Sequence, residues 1–199
     1  MVSPVPEIVN IACLPETQHT TAVELVRLGF EDFYQLFGAD TGSLNAAIAR
    51  QFANKTELEN GLAATESGQL TGIACAYPRN EMAARQAVAI KLLLEVAPNR
   101  QATFLALRNF SGHFPTPAPA GLYVSRVGVP PQRRRHGIAG LLLRELEQNA
   151  LSMRQPHIQL HVRCDNQTAR SFYAEHGYRE EDGGLHAGTN SYLLLYKKL

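Results

Sequence analysis

A basic, glycine-containing turn in the second half of the chain carries residue types that bind phosphate. Three consecutive arginines, Arg133 to Arg135, stand directly before His136 and Gly137, where the apolar pattern predicts that a helix begins. Free backbone N–H groups and the positive end of a helix dipole attract an anion at such a turn. Because Gly137 and Gly140 lack Cβ atoms, we expect a bulky anion to approach the backbone closely. The turn therefore predicts a site for a phosphorylated cofactor.

The distribution of charge along the chain also indicates an anion site in this region. The net charge is only +1, so no global charge indicates a nucleic-acid or membrane partner. Between Glu95 and Glu145, however, there is no carboxylate, and the arginines inside this window are Arg100, Arg108, Arg126, Arg133, Arg134, Arg135 and Arg144. One sign of charge over such a stretch indicates an anion site, and the alternative is a solvated basic face.

Length and composition indicate one globular domain, residues 1–199. The chain is 45% apolar and 19% charged, which is ordinary for a globular protein. Cys13, Cys75 and Cys164 lie far apart and form no CxxC pattern, so we expect neither a disulfide scaffold nor a metal site, and a reducing compartment fits. No apolar run approaches the roughly 20 residues that span a bilayer, and the N-terminus does not resemble a signal peptide. We therefore expect no membrane association and a cytoplasmic location.

The apolar periodicity predicts an α/β fold with a mixed sheet (α+β in parts). A hairpin is expected around the turn at residues 66–69, and Pro98 is expected to divide a long helical region. The predicted elements are helices at 20–37 and 43–54, hairpin strands within 62–77, helical residues 79–109, a loop at 112–120, a strand at 122–129, a helix at 137–153, a strand at 157–163, a short helix from Asn166 or Thr168 to Gly177, and closing strands at 178–186 and 192–197.

The turn at 134–140 fits one phosphate-binding pattern better than the commoner ones. It lacks the glycine pair of a dinucleotide fingerprint, and no Walker lysine follows it. Arg134, Gly137 and Ala139 instead match the pyrophosphate loop Arg/Gln-x-x-Gly-x-Gly/Ala of the GNAT superfamily of acyl-CoA-dependent N-acyltransferases. The preceding Val127-Gly128-Val129-Pro130 also resembles the strand end that leads into that loop.

A second motif supports the resemblance. The segment Asn166 to Tyr178 matches the later superfamily motif Asn-x-x-Ala-x-x-Phe/Leu-Tyr-x-x-x-Gly-Phe/Tyr at every fixed position. The resemblance covers roughly residues 60–199. It implies a GNAT-like fold, in which the strands of the central sheet splay apart and helices flank the sheet.

The resemblance also implies roles for individual residues, with acetyl-CoA as co-substrate. Tyr173 would be the general acid that protonates the departing thiolate, although a core aromatic is the alternative. Asn166 would hydrogen-bond the cofactor arm, although it is also a candidate helix N-cap. The strand end would pair with the pantetheine amides and polarise the thioester, and the loop would bind the pyrophosphate; the residues concerned are Val127, Gly128, Val129, Arg134, Arg135, His136, Gly137, Ile138, Ala139 and Gly140.

The sequence does not identify the general base. Many superfamily members carry a Glu in the strand before the loop, but residues 122–127 contain no carboxylate. A water chain is one substitute. His161 and His157, on the polar face of the next predicted strand, are others because imidazole titrates in the useful range.

The acceptor is expected to be a primary amine of a small molecule or of a protein. Glu31, Asp32, Tyr34 and residues 180–182 are candidates for attracting it, although they also fit an ordinary solvated surface. Residues 79–120 form a long excursion between the third and fourth strands, atypical of a minimal member, which suits a lid or a partner surface.

We also considered two other functions and one form of assembly. The domain could be a non-catalytic acyl-CoA-binding sensor or scaffold, which the missing carboxylate favours and Tyr173 disfavours. Nucleic-acid binding is not expected, because the basic cluster at Arg133 to Arg135 is short and has no aromatic platform beside it. A homodimer is possible.

Overall fold

A single mixed sheet of seven strands organises the chain, in the order β1-β2-β3-β4-β5-β7-β6. The computed structural model describes residues 6–180 and 192–199. The strands are β1 (Glu7–Asn10), β2 (Leu62–Glu66), β3 (Gln69–Pro78), β4 (Leu122–Gly128), β5 (His157–Arg163), β6 (Arg179–Glu180) and β7 (Tyr192–Lys198). Within these residues, only β4 and β5 pair in parallel, and the other neighbouring strands are antiparallel. The predicted mixed α/β fold is confirmed.

Helices cover both faces of this sheet and enclose two apolar cores. The helices are α1 (Glu16–Gly29), α2 (Glu31–Gln35), α3 (Thr41–Ala49), α4 (Met82–Leu94), α5 (Arg100–Ser111), α6 (Ile138–Ser152) and α7 (Gln167–Glu175). One core joins the sheet to α1, α2 and α3, and the other joins it to α6 and α7. Among the described residues, no helix is both long and apolar enough to cross a membrane.

Several predicted elements are found close to their expected bounds. The hairpin turn lies at Ser67 and Gly68, both of which have positive φ. Pro98 separates α4 from α5, as expected for a residue that cannot continue a helix. The predicted strand at 178–186 is observed only as β6, because residues 181–186 lie outside the described part of the chain.

The predicted first helix at 20–37 was wrong at both ends. It begins at Glu16, after Pro15, and it breaks at Phe30, whose φ and ψ of −153° and 53° are not helical. Close contact with β4 accompanies the break, since a Cβ on Gly29 would lie 3.2 Å from the carbonyl oxygen of Val127. A Cβ on Gly128 would in turn lie 2.6 Å from the Leu25 oxygen. Both glycines therefore permit the backbones of α1 and β4 to touch.

Strands β4 and β5 diverge after a short ladder. Their paired residues are Leu122 with Ile158, Tyr123 with Gln159 and Val124 with Leu160. Beyond that point β4 keeps its partner β3 on the other side, where Val127 pairs with Ala74. The edge of β4 that faces β5 is thus free of a ladder from residue 125 onward, which is the splay that the family resemblance implies.

The face of β5 that the sequence predicts to be polar is largely covered. The Gln159 side chain is buried and hydrogen-bonds the backbone of Ala118 and Ala120 at 2.8–3.0 Å. The segment 112–120, which follows α5, therefore lies across the polar face of β5. Alternation along a strand predicts the two faces correctly but cannot reveal that a distant segment covers one of them.

A buried ion pair lies between β4 and the segment that precedes β2. The Arg126 side chain is 3% exposed, and its Nη2 lies 3.6 Å from Oε2 of Glu57, which is 7% exposed. The guanidinium also lies 4.6 Å from the Phe30 ring centroid, and Tyr77 donates a 2.8 Å hydrogen bond to Glu57 Oε1. Arg126, one of the arginines of the carboxylate-free window, therefore adds no charge to an open site, because Glu57 compensates it inside the core.

We expect Glu57→Gln to lower the free energy of unfolding by about 3 kcal/mol, because it leaves the buried Arg126 cation without its carboxylate. Urea unfolding followed by circular dichroism measures the loss. The matched control is Glu95→Gln, which removes the carboxylate of the exposed Arg50–Glu95 pair and should cost less than about 1 kcal/mol. Equal losses in the two variants would contradict a structural role for the buried pair.

Candidate active site

A cleft of about 970 Å³ lies where β4 and β5 diverge. Its walls come from the end of β4, the loop before α6, the first turn of α6, the far end of β5, helix α7 and the junction of α1 with α2. Of the residues predicted to bind the cofactor or to act as the general acid, all but His136 line this cleft: Val127, Gly128, Val129, Arg134, Arg135, Gly137, Ile138, Ala139, Gly140, Asn166 and Tyr173. The two sequence motifs therefore meet in one place.

The loop before α6 presents a run of free backbone amides. Among the described residues, none accepts a hydrogen bond from the amides of residues 135–140, and the first helical bond runs from Leu141 N to Gly137 O at 2.9 Å. Arg135 and Gly137 have φ values of 65° and 78°, which turn the chain sharply into the helix. A Cβ on Gly137 would meet no atom within 4 Å, so the backbone there is open to a ligand.

Gly140 has a close neighbour that the sequence did not reveal. A Cβ at this position would lie 2.6 Å from Nε2 of His176. Its missing side chain therefore makes room for that imidazole at the end of α7. The His176 ring is oriented by a 2.8 Å hydrogen bond between Nδ1 and the Phe172 carbonyl oxygen.

The three loop arginines are not equivalent. Arg133 forms a 3.0 Å ion pair with Glu66, a carboxylate outside the basic window. Arg134 donates a 3.3 Å hydrogen bond from Nε to the Val129 carbonyl oxygen, which ties the loop to the end of β4. Arg135 is exposed and lines the cleft. The positive charge available to a ligand comes mainly from Arg134 and Arg135.

Tyr173 faces the cleft from α7 and is 9% exposed. Its ring packs against Phe172 and Tyr178, so the residue belongs to the core and to the cleft at once. Burial raises the pKa of its hydroxyl to about 12. The phenol therefore holds its proton throughout the physiological range.

Asn166 begins α7 as its N-cap. Its Oδ1 accepts a 3.0 Å hydrogen bond from the amide of Ala169, as the sequence-based alternative anticipated. The residue is also exposed at the cleft wall. The capping hydrogen bond occupies the oxygen of the Asn166 side-chain amide and thereby fixes the orientation of its nitrogen.

The two histidines considered as bases occupy different places. His157 stands at the start of β5, beyond the paired end of the ladder, and does not line the cleft. His161 does line it, and its ring nitrogens lie 2.8 Å from the Tyr123 hydroxyl and 2.9 Å from the Pro115 carbonyl oxygen. Burial lowers the pKa of His161 to about 4, so the ring is neutral at physiological pH.

Sequence reasoning missed the aromatic wall of the cleft. Phe30, Phe114 and Tyr192 line it together, and the Phe114 and Tyr192 rings stack with centroids 4.1 Å apart. Phe114 comes from the 79–120 excursion, which thus borders the cleft. No spacing could have revealed this wall, because its members lie some 80 residues apart along the chain.

Most of the residues considered for attracting an amine already bind other side chains of the protein. Asp32 forms an ion pair with Arg163 and accepts a 3.4 Å hydrogen bond from the Tyr192 hydroxyl. Tyr34 is buried and accepts a hydrogen bond from Arg126, so it does not reach the cleft. Glu31 is exposed at the rim, and Glu180 lies 3.9 Å from Arg170. Residues 181 and 182 lie outside the described residues.

No group of three or more His, Cys, Asp or Glu side chains with metal-binding geometry occurs among residues 6–180 and 192–199. One end of the cleft is lined by the amides and arginines of the loop before α6, and the rest by aromatic rings, hydroxyls, two histidines and the carboxylates of Glu31, Asp32 and Glu175. This set of groups suits a large anionic ligand with an uncharged reacting end.

Comparison with known proteins agrees with this geometry. The acetyltransferase (GNAT) family matches residues 23–178. Comparison with curated protein sequences gives no match. Among solved structures, the chain resembles an N-acetyltransferase from Staphylococcus aureus Mu50, with 14% identity, a TM-score of 0.68 and coverage of 96% of this chain and 99% of that one.

Two further structures have the same fold. One is described as an acetyltransferase and has 19% identity, a TM-score of 0.66 and coverage of 96% and 98% of the two chains. The other is the PaiA N-acetyltransferase from Thermoplasma acidophilum in complex with coenzyme A, with 16% identity, a TM-score of 0.53 and coverage of 98% and 99%. The chain therefore belongs to the GNAT acetyltransferase family, whose members transfer an acetyl group from acetyl-CoA to an acceptor.

Proposed function

We propose that the protein is an N-acetyltransferase that moves the acetyl group of acetyl-CoA to a primary amine by direct attack. One observation carries the proposal: the loop before α6, with its free backbone amides, and the Tyr173 side chain line a single cleft at the point where β4 leaves β5. A ligand with a pyrophosphate at one end and a thioester at the other matches these two regions.

The phosphate end of the ligand would be held by the loop before α6. The amides of residues 135–140 and the positive end of the α6 dipole would receive the pyrophosphate, and Arg134 and Arg135 would add charge. The free edge of β4 at Val127 to Val129 would pair with the pantetheine amides as another strand does. A backbone N–H of this edge would polarise the thioester carbonyl.

The reacting end of the ligand would lie near Tyr173. The amine nitrogen attacks the thioester carbon, and the carbonyl π electrons move to the oxygen. As the intermediate collapses, the carbon–sulfur bond breaks and the thiolate takes the Tyr173 proton. Because both substrates are held in one cleft, proximity would supply a large part of the acceleration.

The acceptor side of the cleft would be the aromatic wall of Phe30, Phe114 and Tyr192. These rings suit the apolar body of an amine, and Glu31 at the rim would attract its protonated form during approach. A screen should therefore include 2-phenylethylamine, tyramine, spermidine and amino-acid amides. Free thiol released from acetyl-CoA reports transfer, whereas binding without thiol release would support the sensor or scaffold alternative.

We expect Gly137→Asp to abolish measurable binding of acetyl-CoA and Arg134→Ala to weaken it about tenfold. The aspartate would place a negative charge beside the free amides, at a residue whose φ of 78° already disfavours side chains. Isothermal titration calorimetry with acetyl-CoA measures both effects.

Two matched controls accompany these variants. Gly68→Asp changes a glycine with a φ of 73° in the β2–β3 turn, where a Cβ also meets nothing within 4 Å. Arg108→Ala removes an exposed arginine of α5 that does not line the cleft. Both should bind acetyl-CoA as the wild type does. Unchanged binding in Gly137→Asp would overturn the assignment of the loop.

We expect Tyr173→Phe to lower kcat about 100-fold and to change the Kd of acetyl-CoA less than twofold, because the hydroxyl acts on the departing thiolate. Since burial raises the Tyr173 pKa to about 12, the acid form persists as pH rises, and the wild-type kcat should show no decline caused by this group below about pH 10. Steady-state kinetics between pH 6 and 10 test both statements, and a Tyr173→Phe enzyme with wild-type kcat would exclude the role.

A further inference from the structure

The imidazole of His176 lines the cleft at the end of α7, and two contacts with Phe172 fix its orientation. Nδ1 lies 2.8 Å from the Phe172 carbonyl oxygen, and the centroids of the two rings are 4.3 Å apart. Because a carbonyl oxygen can only accept, Nδ1 must donate this hydrogen bond. In the neutral ring, Nε2 then carries a lone pair and no proton. His176 can therefore donate from Nε2 only as a cation.

Nε2 occupies the space that a side chain at residue 140 would fill. A Cβ on Gly140 would lie 2.6 Å from this nitrogen. The Cα–Cβ bond of a helical residue is tilted toward the helix N-terminus, so Nε2 stands on the side of Gly140 that faces the start of α6. That is the side on which the amides of residues 135–140 have no hydrogen-bond partner among the described residues. An anion received by these amides would therefore lie next to Nε2.

Charges and helix dipoles of both signs act on this ring. The C-terminal end of α7 favours a cation at His176, whereas the N-terminal end of α6 opposes one. A phosphate group at the loop would remove that opposition and add a negative charge of its own. The charged side chains nearest to the end of α7 are Arg144 of α6, Glu175 of α7, Arg134 and Arg135 of the loop, and Lys197 of β7, which is paired with Glu147.

We infer that His176 binds the pyrophosphate of the ligand as an imidazolium ion, so that acetyl-CoA binding takes up a proton; this inference rests on the acetyl-CoA binding proposed above. A bare Nε2 beside a phosphate oxygen would be repulsive, because both atoms are acceptors. Once a proton from the buffer is bound to Nε2, the ring donates a charge-assisted hydrogen bond to the phosphate. The proton is the only group that moves, and no covalent bond of the ligand changes.

The inference gives the pH dependence of binding a definite sign. Imidazole side chains ordinarily change charge between about pH 5 and 8. Because the complex holds more protons at His176 than the free protein does, the affinity for acetyl-CoA should fall as pH rises through this range. We expect the contribution of His176 to the affinity to fall about tenfold between about pH 6 and 8.5, which corresponds to a movement of about one pH unit in the titration of its ring.

The decisive experiment is calorimetric titration of the wild type and His176→Gln with acetyl-CoA at about pH 7, in buffers of different ionisation enthalpy. The dependence of the binding enthalpy on the ionisation enthalpy of the buffer gives the number of protons taken up. The glutamine amide can donate a hydrogen bond but cannot take a proton. We expect the wild type to take up about half a proton more than the variant. Equal uptake would show that the ring only fills the space beside Gly140.

A second histidine provides the matched control. One ring nitrogen of His19, on α1, lies 3.1 Å from the Leu14 carbonyl oxygen, and the residue does not line the cleft. His19→Gln should therefore take up as many protons as the wild type does. A loss of uptake in His19→Gln equal to that in His176→Gln would contradict the assignment to His176.

A second ligand separates the two kinds of phosphate in coenzyme A. The 3′-phosphate is a monoester that itself titrates near about pH 6, whereas 3′-dephospho-coenzyme A retains only the pyrophosphate. We expect the difference in proton uptake between the wild type and His176→Gln to persist with 3′-dephospho-coenzyme A. Binding of this ligand without that difference would overturn the assignment of His176 to the pyrophosphate.

Nitrogen-15 NMR of the His176 ring observes the proton directly, and the signals are assigned by their loss in His176→Gln. We expect the neutral ring of the free protein to carry its proton on Nδ1, and saturating acetyl-CoA to add a proton at Nε2. A proton on Nε2 alone in the free protein would overturn the inference. If acetyl-CoA binds to the wild type without proton uptake at His176, only this inference fails. If acetyl-CoA does not bind, the proposed function fails and the inference with it.

Discussion

The divergence of β4 from β5 is the constraint on which the rest of the site depends. Three residue pairs join the strands, and after Val124 and Leu160 the ladder stops. Backbone groups of the inner strands of a sheet are normally paired, so an open edge in the middle of a sheet invites a ligand that supplies the missing partners. The loop before α6 follows β4 directly, which places its free amides at the mouth of the same gap.

Packing on both faces holds β4 in its diverging position. Helix α1 touches its backbone at Gly128, and the Arg126 side chain reaches into the core toward Phe30 and Glu57. On the opposite face, α6 lies so close to β3 that a Cβ on Gly72 would be 2.7 Å from Ile138. These contacts leave little freedom for β4 to close the gap, so the cleft is largely formed before any ligand binds.

The cleft joins two electrostatic environments. At the end formed by the loop before α6, free amides together with Arg134 and Arg135 provide positive potential near solvent. Elsewhere in the cleft, burial raises the pKa of the hydroxyls of Tyr123 and Tyr173 and lowers that of His161, so these three side chains are uncharged at neutral pH. Uncharged hydroxyl and imidazole groups can therefore lie side by side there, as Tyr123 and His161 do at 2.8 Å.

The sequence by itself determined the family, the mixed fold and the two motifs that meet at the cleft, because those features depend on local spacing. It also predicted the hairpin and the strand–helix–strand order. The tertiary structure alone decided which residues complete the site, since Phe30, Phe114 and Tyr192 meet only after folding. The same holds for Arg126, because only the folded structure places Glu57 beside it and so compensates its charge inside the core. Local patterns encode elements and turns, whereas burial, pairing of charges and the direction of a hydrogen bond depend on residues that are distant in the chain.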